Sequence, residues 1–105
     1  MPGDRTMASM TFETFQSTLA DPAPPAGLTP LVEAMWRAAK GEWDAAHRLA
    51  QAQDDADGAW VHAYLHRVEG DLANAGYWYR RADMQPSQAP LRDEWTTIVQ
   101  ALLAD

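Results

Sequence analysis

The chain has 105 residues, a formal net charge of −7 and no cysteine. That length suits one small domain, and the acidic balance repels phosphates, which argues against nonspecific nucleic-acid binding. Without cysteine there is no disulfide, no thiolate metal site and no cysteine nucleophile.

A hydrophobic fraction of 47% with five tryptophans favours a folded globule over a disordered chain. Abundant alanine and the lack of sustained apolar alternation point to an all-α fold. No apolar run approaches the roughly 18 residues of a membrane span. The opening MPGDRTMASM lacks the apolar core of a secretory signal. A cytoplasmic location with no membrane partner is expected.

Residues 1–10 read as a disordered lead, followed by a single α-helical domain over 11–105. Thr11 can cap a short helix through about Leu19, with Phe12, Phe15 and Leu19 at helical spacing. DPAPPAG, Asp21 to Gly27, cannot be helical, because its three prolines fix φ and remove donors. Thr29-Pro30 then supplies an N-cap and a first-turn proline. A helix is expected from Pro30 to Lys40, with Leu31, Met35 and Ala38 on one face. Gly41 interrupts, and Glu42 to about Gln53 forms the next, carrying Trp43, Ala46, Leu49 and Ala50. These two helices make a first antiparallel hairpin over about 30–53.

Residues 59–82, AWVHAYLHRVEGDLANAGYWYRRA, hold most of the unusual side chains, including two of the three histidines. Asp57 can cap a helix running to Glu69, Gly70-Asp71 breaks it, and Asp71 can cap another from Leu72 to about Met84. So short a turn folds the second helix back on the first, a second hairpin over about 59–84. Leu72, Ala75, Tyr79 and Ala82 share the expected packing face. The segment QPSQAP is a linker, and a flanking C-terminal helix follows over 91–104, with Asp93 and Glu94 in its first turn. Its packing stripe is Trp95, Ile98, Val99, Leu102 and Leu103.

At about 100° per residue, the helix after Asp57 carries two stripes. His62, His66 and Glu69 lie along one side, and Trp60, Tyr64 and Arg67 along the other. Only one of them is expected to face the core fully.

Placing Gly41 on Gly70 aligns Ala34 with Ala63, Ala46 with Ala75 and Trp43 with Leu72, an offset of 29 residues. AAKGEWDAA and RVEGDLANA are the clearest match. Over residues 30–86 this resembles tetratricopeptide repeats, helical-hairpin units whose turn reads G-D/E-aromatic-x-x-A. The resemblance implies packing roles for Ala63, Ala75, Tyr79 and Ala82, with Pro86 near the closing proline. The flanking helices would then act as caps on two repeats. AWVHAYLHR…EGDLANAGYWYRRA also resembles a group of short uncharacterised bacterial proteins, which implies a shared fold and a bacterial source but no activity.

Two imidazoles one turn apart, His62-x3-His66, can chelate a divalent metal, with Glu69 extending the line and His47 adding a nitrogen. Zn²⁺ or Ni²⁺ suits such ligands. The competing reading makes both histidines interior groups, bonded to a carbonyl or to Glu69 and packed on an indole, fixing helix register. Trp60, Tyr64 and Arg67, with Tyr77, Arg80 and Arg81, can line a ligand groove or a partner face, since Trp, Tyr and Arg dominate interface hot spots. Otherwise they form a packing stripe with surface arginines. Glu42, Asp44, Asp54, Asp55 and Asp57 read as solvated surface. Ser9, Ser17 and Ser87 lie in contexts that do not support a nucleophile.

No complete catalytic constellation emerges, so enzymatic activity is not expected. The leading expectation is a small α-helical protein–protein interaction module that docks an unidentified protein or self-associates. The alternative is a metal- or small-ligand-binding protein using His62, His66, His47 and Glu69.

Overall fold

A computed structural model describes residues 10–104, and glycine and proline positions divide these described residues into six α-helices. They are α1 (Phe12–Ser17), α2 (Pro30–Ala39), α3 (Trp43–Gln51), α4 (Ala56–Val68), α5 (Leu72–Arg81) and α6 (Leu91–Ala104). No strand occurs among the described residues. The expectation of a disordered lead falls on residues 1–9, outside that range, whereas Met10 packs against the core.

Most boundaries follow local chemistry, and three differ from expectation. α1 ends at Ser17 and tightens into a 3-10 turn, Thr18–Ala20. The cap of α4 is Asp55, not Asp57: Asp55 is extended, and its carboxylate accepts the Gly58 amide at 2.8 Å. A side chain at Gly58 would stand 2.0 Å from the Gln53 carbonyl oxygen, so only glycine allows this close entry. α5 stops at Arg81 and not near Met84, because Asp83 turns left-handed (φ 60°) and the Met84 amide bonds back to the Tyr79 carbonyl.

The 29-residue offset reappears in the backbone. Gly41 (φ 80°) and Gly70 (φ 85°) close α2 and α4 with matching hydrogen bonds. Gly41 N–H donates to Ala38 and Glu42 N–H to Arg37, as Gly70 N–H donates to Arg67 and Asp71 N–H to His66. The space beside both glycines is open, so their requirement is purely conformational.

α2 packs on α3 and α5 on α4, while α4 also touches α2, α3 and α6. Every residue from Val61 to His66 is buried. The two stripes of α4 therefore do not compete for one core. The His62/His66 side is covered by α3 and α5, and the Tyr64/Arg67 side by α6. Ala75, Tyr79 and Ala82 form the buried face of α5 as expected, but Leu72 is 68% exposed. It is the first residue of α5, directly after the Gly70-Asp71 turn that joins the two helices.

Tryptophans tie the elements together. Trp36 donates to the Thr18 hydroxyl, Trp43 to the Leu65 carbonyl and Trp95 to the Met35 carbonyl. Trp60 donates to Glu94, a carboxylate only 4% exposed. The same carboxylate accepts from Tyr79 at 2.6 Å and from Arg67 at 2.6 Å, and Arg67 reaches on to the Ala89 carbonyl at 2.7 Å. One residue of α6 thus satisfies three donors from α4 and α5 and fastens the 82–90 linker.

Removing one side of a buried ion pair typically costs about 3–5 kcal/mol. Glu94→Ala is expected to lose that much in urea denaturation, and Arg67→Met/Glu94→Leu to recover part of it. A loss under about 1 kcal/mol would mean that the network contributes little. Gly41→Ala and Gly70→Ala are each expected to cost about 1 kcal/mol, equal within error, from forcing alanine to positive φ. Unequal costs would show that the two turns are not energetic copies.

Candidate functional site

α4 places His62 and His66 one turn apart, and α3 brings His47 against them. Ring centroids lie 4.5 Å apart for His47 and His62, 5.3 Å for His47 and His66, and 4.9 Å for His62 and His66. One nitrogen from each ring lies within 4.8 Å of the others. His62 is 4% exposed, His66 7%, and His47 is half-buried.

Two indoles hold this triad. Trp43 stacks on His47 at 4.7 Å and meets His66 edge-on, its N–H pinned by Leu65. Trp78 of α5 stacks on His62 at 3.8 Å, with the rings 15° from parallel. Each imidazole is thereby limited in rotation, which a chelating set requires.

Glu69 Oε1 lies 2.5 Å from His66 Nδ1. An ionised carboxylate can only accept, so Nδ1 donates to Glu69 and Nε2 is the ring nitrogen left to meet a ligand. This carboxylate–imidazole pairing is the one that orients histidine ligands in metal sites. Neither His47 nor His62 makes a side-chain hydrogen bond to another described residue. Burial, with the nearby His47 and His66, pushes His62 down to about 4. Burial and His66 lower His47 as well. Both rings are neutral at pH 7, the form that binds metal. Tetrahedral coordination at about 2.0–2.1 Å needs nitrogens about 3.4 Å apart, a modest contraction from the spacing present. Glu69 and Asp71 also group with His66 at ligand spacing, but both are exposed and Asp71 caps α5 through the Asn74 amide.

Four expected site residues thus converge: His47, His62, His66 and Glu69. The Trp60/Tyr64/Arg67 face is only partly open to solvent: Tyr64 is buried, Trp60 and Arg67 are half-buried and bonded to Glu94, and α6 packs on that side of α4. Burial, then the Glu94 charge, raises Tyr64 to about 12, so its phenol stays protonated near neutral pH. Tyr77, Arg80 and Arg81 are exposed on α5, where Arg81 bonds the Tyr77 hydroxyl at 3.0 Å and lies over Trp78.

Within the acidic group Glu42 pairs with Arg37 and Asp55 caps α4, while Asp44, Asp54 and Asp57 are exposed. Ser17 donates to the Thr14 carbonyl, Ser87 accepts the Ala89 amide, and Ser9 lies outside the described residues.

Sequence reasoning missed the roles of Trp43, Trp78 and Glu94. Trp43-x3-His47 is a same-face spacing, and Glu94 falls one turn before Ile98 on an apolar stripe; both signals were available. No family model, curated protein or solved structure matches the chain.

His62 is held neutral in the fold but titrates near 6.5 when unfolded. The unfolded state therefore binds more protons between these values. The stability from this ring is fully present above about 6.5 and is lost as pH falls toward about 4. The groups facing it include His47 and His66, with Asp54, Asp55 and Arg81 around the adjoining cleft. In chelator-treated protein, the melting temperature should fall across this window, and less steeply for His62→Phe. Parallel profiles for the two proteins would contradict the buried neutral ring.

Proposed function

We propose that the chain binds a divalent metal ion through His47, His62 and His66, with Glu69 orienting His66. The observation that carries this reading is the convergence of three imidazoles from α3 and α4 within 4.8 Å, flanked by stacked indoles. Three nitrogen donors and no thiolate suit Zn²⁺ or Ni²⁺. Ligands on two helices would staple α3 to α4, so binding would add to fold stability.

Residues 30–86 are read as two tetratricopeptide-like hairpins, supported by the paired packing and the matching glycine turns. That arrangement often presents a binding surface, but here Trp60, Tyr64 and Arg67 are consumed internally. A partner face on this protein would use Tyr77, Arg80 and Arg81 instead. The geometry favours the histidine site.

Elemental analysis after dialysis of tag-free protein against Zn²⁺ or Ni²⁺ tests this. One equivalent is expected, and it should be lost in His47→Ala, His62→Ala and His66→Ala. Glu69→Gln should weaken binding roughly 10–100-fold. At free metal near ten times the dissociation constant, stabilisation of about 1.4 kcal/mol should raise the melting temperature by several degrees. A folded protein that retains no metal, with a melting temperature indifferent to both ions, overturns the proposal.

A further inference from the structure

A tetrahedral site needs a fourth ligand, and the triad supplies three. Among the described residues no carboxylate joins His47, His62 and His66 within ligand spacing. Glu69 is spent on His66 Nδ1 and belongs to a separate group with His66 and Asp71. Asp54 and Asp55 line the adjoining cleft but lie outside the triad's group as well. The fourth position is left to a molecule from outside the chain.

The way in is open. α3, α4 and α5 line a groove that runs beside the triad into a cleft of about 250 Å³, and His62 is part of both. The side chains next to His62 in that cleft are short, namely Ala50, Gly58 and Ala59. His47, His62 and the Nε2 atom of His66 have no hydrogen-bond partner among the described residues. Yet no sealed side-chain nitrogen or oxygen among those residues lacks a partner. The unpartnered ring nitrogens are therefore within reach of a water-sized molecule, although His62 and His66 are buried as residues. Structural zinc sites are closed, whereas sites that exchange a ligand keep one position open.

Charge selects the occupant. Coordinating imidazoles are neutral, so a divalent ion would keep its full charge between the two indoles. An anion in the fourth position offsets that charge, and a neutral molecule does not. The acids of the cleft are engaged elsewhere: Asp55 holds the Gly58 amide and the Gln53 side chain. Asp54 has a side chain 93% exposed and pairs loosely with Arg81 at 3.5 Å. Arg81 lies back over Tyr77 and Trp78, so the metal is the one strong anion partner and a single anionic group satisfies it.

We propose that the metal held by His47, His62 and His66 keeps an exchangeable fourth position, reached through this cleft, and takes a small monocarboxylate or like monoanion there. The inference rests on the metal reading above.

Calorimetric titration of zinc-loaded and zinc-free protein with acetate, azide and uncharged acetamide tests it, zinc content being measured in every sample. Both anions are expected to bind the zinc-loaded form one to one, roughly tenfold or more tighter than the zinc-free form, and acetamide to bind neither. Ala59→Leu, which enlarges a side chain beside His62 in the cleft, should weaken acetate about tenfold at unchanged zinc content. If that variant loses zinc, Ala56→Trp at the exposed rim of the same cleft gives the same reading. Zinc-loaded protein that binds neither anion, or acetamide as well as acetate, overturns the inference and leaves the metal site standing. Acetate affinity unchanged in a zinc-replete cleft variant overturns the cleft as the route. Protein that takes up no zinc overturns both readings.

Discussion

Everything in this protein depends on α4 being covered on all sides although its sequence is polar on two of them. A helix buried all round is normally apolar all round. Here the interior positions include His62, His66 and the half-buried Arg67, whose polar rings and guanidinium are met by partners inside the fold. Glu94 answers on one side and the Trp43–His47–Trp78 layer on the other. The positions of α3, α5 and α6 follow from those two demands.

The two demands are met differently. On the α6 side the donors of Arg67, Tyr79 and Trp60 converge on a single carboxylate, a saturated network that specifies how the last helix docks. On the α3–α5 side the imidazoles are held mainly by stacking, and among the described residues only the His66 ring has a hydrogen-bond partner. Nitrogen lone pairs are fixed in place there without being used. A saturated network favours structure, while preorganised and unspent donors favour binding. The contrast within one helix is why the functional reading falls on the histidines and not on the aromatic and arginine residues opposite.

The groove joins this centre to the surface. α3, α4 and α5 present their side chains in register, so chemistry changes turn by turn along one channel. It passes from the His66–Glu69 pair, through the triad, to the cleft with Arg81. A fold of stacked helix pairs produces such layering without loops, and each level is positioned by helical elements.

Much of this was legible beforehand, because local physics wrote it. Gly41, Gly70 and the proline segments marked the helix ends, and the 29-residue offset in sequence returned as two matching left-handed turns. The i,i+4 spacing placed His62 and His66 on one face, and the i,i+3 spacing reached Glu69. Tertiary structure decided what covers each face. Nothing near Glu94 in the chain announces that its carboxylate will meet Arg67, 27 residues earlier. Nor does His47 declare that it will stand beside His62. Local sequence encodes the period and the stops of a helix, whereas the partner of each face depends on how the helices share one small core. For α4 the answer was both faces, and that could be seen only once the chain had folded.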